Sequence, residues 1–252
     1  MQKRVLLGFA LGAAFAFTLG GSASAAETNV AVAANFTAAA KDIAAAFKQK
    51  TGHNAVLSFG SSGQFFTQIK QDAPFQVFLS ADDERPKKLA EEGLGVKDSV
   101  FTYAVGKLVL WSKNADLVKG ESTVKDGKFA KIAIANPKAA PYGAAAVETL
   151  KAVKVYDALE SKIVQGNNIS QTFQFVDSGN AELGFVALSQ LAGKTGGSQW
   201  LVPQELYTPI RQDAVLLKKG ESNEAAKAFL AFLKGPEARA IIEKYGYAMG
   251  GK

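Results

Sequence analysis

The sequence contains no cysteine, one histidine, two tryptophans and two methionines in 252 residues. Without cysteine there is no disulfide framework, no thiolate zinc or iron–sulfur site, no cysteine nucleophile and no lipid-modified cysteine at a signal cleavage site. With His53 alone, most metal and acid–base chemistry that relies on imidazole is excluded too. A large charge excess is also missing. The formal charge is +6, and +4 once Lys3 and Arg4 are set aside, which is too mild to imply nucleic acid. Beyond residue 25 no stretch approaches the roughly 20 apolar residues that a membrane span requires. Hydrophobic residues still make up 48% of the chain, ample for a core.

What is present begins with a targeting segment. Basic Lys3 and Arg4, an apolar run from Val5 to Leu19 diluted by Gly8 and Gly12, and Ala23-Ser24-Ala25 before Ala26 form the three parts of a secretory signal. Residues 1–25 are therefore expected to be removed as a signal peptide, leaving an exported, unanchored protein suited to a bacterial periplasm. There, a binding protein and an enzyme are both common.

Downstream, apolar strand-like runs alternate with helical periodicities, which predicts an α/β architecture with largely parallel sheets. Strands are expected at 28–34, 55–59 and 77–81, with helices at 36–50, 64–71 and 84–92. In the first helix Phe36, Ala40, Ile43 and Phe47 share one face, and Thr51-Gly52 closes it. The run from Phe101 to Trp111 is longer than an average strand of about five or six residues, so it is expected to pass from one lobe to another. Further strands are expected at 132–135, 183–188 and 214–217, and helices at 143–152, 170–177, 224–233 and 237–245. Two α/β lobes of roughly 100 residues each fit this length.

Catalytic constellations are weak. Gly60-Ser61-Ser62-Gly63 lacks the second glycine of a nucleophile elbow, because position 64 is Gln64. There is no Walker A loop, no Gly-x-Gly-x-x-Gly after a strand and no His-Glu-x-x-His. His53 sits in the turn Thr51-Gly52-His53-Asn54 as a solvated residue, and Asp82-Asp83-Glu84 reads as acidic residues favouring a helix N-terminus. No enzyme activity is expected.

A stronger pattern lies at the strand–helix junctions. Asn35, Ser61 with Ser62, Tyr142-Gly143 and Asn168-Ile169-Ser170 each stand where a helix begins. A helix start offers unpaired N–H donors and about half a positive charge, so several aimed at one cleft would make an anion site without Lys or Arg. In open α/β sheets such junctions lie at the carboxyl ends of strands, where ligands usually sit. Ordinary helix capping explains the same residues and is the favoured reading on spacing alone, with convergence left open.

The ordered motifs resemble one family. Val32-Ala33-Ala34-Asn35-Phe36-Thr37, Ser58-Phe59-Gly60-Ser61-Ser62-Gly63 and Phe78-Leu79-Ser80-Ala81-Asp82 are similar to the amino-terminal half of periplasmic molybdate-binding proteins. Ala135-Asn136-Pro137 with Pro141-Tyr142-Gly143, Glu182-Leu183-Gly184-Phe185-Val186 and Phe232-Leu233-Lys234-Gly235-Pro236-Glu237-Ala238 with Lys244-Tyr245-Gly246-Tyr247 continue the match in order. The resemblance covers nearly the whole mature chain.

It implies a two-lobed type II periplasmic binding fold, each lobe a mostly parallel sheet flanked by helices and joined by a two-segment hinge near 103–106 and 207–212. Lobe 1 would comprise 26–104 and 210–252, and lobe 2 residues 105–209. Closure over one tetrahedral oxyanion, molybdate or tungstate, would present it to the permease of an ABC transporter and its ATPase, the protein acting as a monomer. Carried over position by position, the oxyanion-binding residues are Asn35 (where the family usually has serine), Ser62, Tyr142 and Ile169, with Ser61 an adjacent candidate. They would hold the metal only as its oxyanion, with no direct metal ligation and no cofactor. Ala187 stands where many members have a tyrosine whose hydroxyl faces the ligand, and Tyr142 is the expected substitute through its phenol, as Asn35 is through its amide. The alternatives are a binding protein for sulfate, another oxyanion or a small organic anion, an iron(III)-binding relative, which would want cleft tyrosines whereas Tyr245 and Tyr247 lie by the closing helix, the wrong place for a cleft, and a periplasmic hydrolase.

Overall fold

The computed structural model describes residues 25–250. The segment expected to be a signal peptide, Ala25 apart, lies outside the described residues. The strands are β1 (Glu27–Ala33), β2 (Asn54–Gly60), β3 (Val77–Leu79), β4 (Phe101–Gly106), β5 (Leu108–Ser112), β6 (Ile132–Ala135), β7 (Ile163–Gly166), β8 (Leu183–Ala187), β9 (Ser198–Leu201) and β10 (Ile210–Leu216). The α-helices are α1 (Thr37–Thr51), α2 (Ser62–Lys70), α3 (Glu84–Glu91), α4 (Ser122–Asp126), α5 (Pro141–Ala152), α6 (Tyr156–Leu159), α7 (Ile169–Asp177), α8 (Glu224–Lys234) and α9 (Pro236–Lys244).

The strands form two five-stranded sheets, ordered β2-β1-β3-β10-β4 and β7-β6-β8-β5-β9. Each carries two parallel pairings, β1 with β2 and β3 in the first and β6 with β7 and β8 in the second. The remaining pairings are antiparallel, so the sheets are mixed rather than largely parallel. Connectivity explains this. The apolar run from Phe101 breaks at Lys107, where β4 leaves the first sheet and β5 enters the second without the crossover helix that parallel strands need. The chain returns to the first sheet through β10.

Both faces of each sheet are covered, and the period of two sorts side chains between them. In β1, Val30 and Val32 join Ile43, Phe47 and Phe229 on the face carrying α1, α8 and α9, whereas Ala31 joins Phe65 and Leu89 on the face carrying α2 and α3. In β5, Leu108 and Leu110 pack with Tyr142 and Leu150 of α5, whereas Val109 and Trp111 pack with Val176 of α7. Helix α1 ends as expected at Gly52, whose φ of 76° is left-handed and whose N–H bonds to the Lys48 carbonyl. Ala33, Ala34 and Ala81 of the first lobe belong to the core of the second, so the lobes are packed together at the strand ends.

Candidate oxyanion site

Four strands, β1 and β2 in one sheet and β6 and β7 in the other, each run into a helix start. A 3-10 turn, Ala34–Phe36, leads from β1 into α1, and α2, α5 and α7 follow β2, β6 and β7. These starts converge on a single narrow space lined by Asn35, Ser61, Ser62, Tyr142 and Ile169, together with Ala34, Gly60, Asn168 and Pro141. All five residues expected from sequence are brought together there, and all five are buried. Larger hollows of about 430 and 230 Å³ lie elsewhere; this one is narrow, at about 10 Å³. No Lys, Arg, Asp or Glu lines it.

Its donors follow from helix geometry. The first N–H groups of a helix have no intrahelical carbonyl. Among the described residues the N–H groups of Asn35, Ser62, Tyr142 and Ile169 have no other backbone acceptor. Local chemistry holds each start in place. Ser61 caps α2, its Oγ accepting from Gln64 N–H at 3.3 Å while the Gln64 side chain accepts from Ser61 N–H. Asn168 caps α7 by accepting from Gln171 N–H at 3.0 Å. Pro141 occupies the first turn of α5, where its missing N–H is no loss. Gly143 allows α5 to start against the end of β6, since a Cβ there would lie 2.1 Å from the Ala135 carbonyl oxygen. Capping and convergence thus coexist.

The side chains divide their tasks differently from expectation. Ser62 Oγ accepts from Ala81 N–H at 2.9 Å and Ser61 Oγ from Gln64 N–H, so each hydroxyl proton is left for another acceptor. The Asn35 amide is already committed, because Nδ2 donates to Gln212 Oε1 at 2.8 Å and to the Tyr247 hydroxyl at 3.0 Å. Its backbone N–H is the donor that remains. The Tyr142 phenol accepts from Gln212 Nε2 at 3.2 Å, and burial pushes it well above its usual range, so it stays protonated. Ala187 supplies no side-chain donor, and its N–H is taken by Gln190 Oε1.

The lobes touch across the site. Gly63 N–H donates to the Ala139 carbonyl at 2.9 Å, Ser170 Oγ to the Ala34 carbonyl at 3.3 Å and Ser189 Oγ to the Asn35 carbonyl at 2.9 Å. Ser189 and Gln212 were invisible from sequence as parts of this region. Tyr247, expected to lie in the wrong place for a cleft residue, instead reaches Asn35 and Ser189 from beyond α9. Outside the site, His53 Nδ1 accepts from Ala26 N–H, and Asp82 accepts the Arg85 N–H at the start of α3. No group of three or more His, Asp or Glu residues is placed to hold a metal ion among the described residues.

Two sheets whose paired helix starts face one cleft form the architecture of a solute-binding protein. Residues 28–248 match the bacterial extracellular solute-binding protein family. The chain belongs to this family. It is 59% identical over 225 residues to the molybdate-binding protein ModA of Rhodobacter capsulatus, covering 89% of each chain. Identity to the molybdate-binding protein ModA of Azotobacter vinelandii is 56% over 232 residues, 90% of this chain and 92% of that one. Its structure is similar to that of an Azotobacter vinelandii periplasmic molybdate-binding protein, with a TM-score of 0.86 at 40% identity over 89% of this chain and 100% of the other. Family membership makes this a solute-binding protein.

Proposed function

We propose that this protein captures molybdate or tungstate in the periplasm and delivers it to the permease and ATPase of a membrane ABC transporter. The observation that carries the reading is the convergence of four unpaired helix-start N–H groups, from Asn35, Ser62, Tyr142 and Ile169, on one uncharged space. Relatives at 59% and 56% identity that are named for molybdate support it.

The physics favours a fully ionised oxyanion. Oriented N–H dipoles and the positive ends of α2, α5 and α7 supply the potential, so no Lys or Arg need be desolvated with the ligand. The hydroxyls of Ser61 and Ser62 add two donors. Every group facing the ligand is then a donor, so an oxyanion that keeps a proton, such as hydrogen phosphate, meets a donor where it needs an acceptor. Sulfate is smaller and leaves some buried N–H groups unpaired, at about 1–3 kcal/mol each. Molybdate and tungstate are nearly the same size and should bind alike.

The two bodies that close are residues 26–104 with 210–252 and residues 105–209, hinged at the two crossings. These crossings are tied together, since Leu108 N–H donates to the Tyr207 hydroxyl at 3.2 Å. Closure would bury the ligand and present a two-lobed face to the permease.

Isothermal titration of the dialysed protein with molybdate, tungstate, sulfate and phosphate tests the reading. Tight one-to-one binding of the first two, with sulfate and phosphate weaker by at least a hundredfold, is expected. Equal binding of sulfate would make this a general oxyanion receptor, and silence from all four would refute the oxyanion reading.

A further inference from the structure

Beneath the cleft runs a buried chain of side-chain hydrogen bonds that oxyanion binding does not itself use. At its centre is Gln212 on β10, wholly buried, whose Oε1 accepts from Asn35 Nδ2 at 2.8 Å and from the Tyr103 hydroxyl at 3.1 Å. Its Nε2 donates to the Tyr142 hydroxyl at 3.2 Å. Asn35, Tyr103 and Gln212 belong to the body of the first sheet, and Tyr142 starts a helix on the second. One amide therefore joins two residues that offer backbone N–H groups to the site from opposite lobes.

The backbone around this amide is shaped for it. Residue 106, on the strand beside Gln212, is glycine with an ordinary φ, so conformation does not require it. Space does: a Cβ there would lie 2.0 Å from the Tyr142 hydroxyl and 2.7 Å from Gln212 Nε2. The pairing of β10 with β4 also shifts register between Gln212 and Asp213. Such bulges re-aim side chains beside functional sites.

We infer that Gln212 is a positioning residue for the oxyanion site, its amide aligning Asn35 on one lobe with Tyr142 on the other and so coupling ligand retention to lobe closure. This rests on the oxyanion reading above. Of the three side-chain hydrogen bonds Gln212 makes, only that to Tyr142 crosses between lobes, beside the hinge segments, so a rotation that parts the lobes would loosen it and closing would remake it. In the open protein both groups are hydrated. In the closed one they are shut away from water and must be paired, which favours the arrangement in which the Asn35 and Tyr142 N–H groups face one point. Ligand entry into the open form does not involve the bond, so its loss should act on dissociation rather than association.

The test is a double-substitution cycle read by stopped-flow kinetics with molybdate. Gln212→Met keeps the length of the side chain, and both first-lobe donors retain partners, Tyr103 at the Ser80 carbonyl and Asn35 at Tyr247. Dissociation is expected to quicken at least tenfold with association changed less than twofold. In a Tyr142→Phe background the same substitution should change dissociation less than threefold. Equal effects in the two backgrounds, or a lower melting temperature with unchanged dissociation, would mean that Gln212 is merely structural. Should Gln212→Met fail to fold, Tyr142→Phe alone removes the same cross-lobe bond while leaving Gln212 and the Tyr142 backbone N–H in place. Wild-type dissociation in that variant overturns the inference. A wild-type protein that binds no molybdate refutes the oxyanion reading, whereas wild-type binding with an additive cycle refutes only the role of Gln212.

Discussion

At Asn35 the side chain and the backbone have separate tasks. The amide ties the first turn to Gln212 and Tyr247, and that anchoring leaves the backbone N–H fixed and free for a ligand. Sequence placed Asn35, Ser61, Ser62, Tyr142 and Ile169 at helix starts and, by family resemblance, in one site. It was silent on Gln212 and Ser189 and put Tyr247 away from the cleft, because their contacts with Asn35 span 177, 154 and 212 residues and no local pattern encodes them. Two residues away from the site carry predictions. Thr28 on β1 is completely buried and its hydroxyl has no hydrogen-bond partner among the described residues. Thr28→Val replaces that hydroxyl with a methyl on a strand that suits β-branching, so denaturant unfolding should show a gain of about 1 kcal/mol. Asp213 is buried beside β4, and desolvation raises its pKa despite the hydrogen bond from Thr102. A raised carboxyl value means that the folded state holds a proton the unfolded chain has released, so this group lowers stability as pH rises through that interval. Asp213→Asn should therefore melt higher than the wild type at pH 7, with the gap closing below the ordinary carboxylate range of about pH 4 in a thermal series.

In the proposed function the helix starts are the elements that hold the ligand, and their caps would keep the N–H groups in register. For α7 the cap is Asn168, one residue before Ile169, which lines the proposed site. Asn168→Ala is expected to lower stability by about 1 kcal/mol and to weaken molybdate several-fold, which chemical denaturation and titration would measure together. Retained affinity would mean that the start of α7 is held by packing alone. The alternation of strands and helices was readable because β6 and residues 30–33 of β1 are continuous apolar runs and α1 shows a clean apolar face. Strands β7 and β9 were not readable. Each is a four-residue edge strand that is half exposed, so neither carries an apolar run. The length of the run from Phe101 did announce a change of lobe, and the exposed Lys107 marks where it occurs.

At the scale of the molecule, two similar sheets meet across their strand ends, and in the proposed site neither would supply a complete set of donors. Asn35 and Ser62 come from one lobe, Tyr142 and Ile169 from the other. An ion that needs all four is held only when the lobes meet, so affinity and closure are one event. The contacts of Gly63 with Ala139 and of Ser170 with Ala34 are the neutral seams of that closed form. The most direct measurement is a crystal structure of the protein grown with molybdate, using the anomalous signal of molybdenum to place the ion. The account predicts one molybdenum centre between the lobes, with its oxygens about 2.7–3.1 Å from the N–H groups of Asn35, Ser62, Tyr142 and Ile169. An ion bound instead at surface lysines, or in the cleft with those four N–H groups turned away, would contradict it.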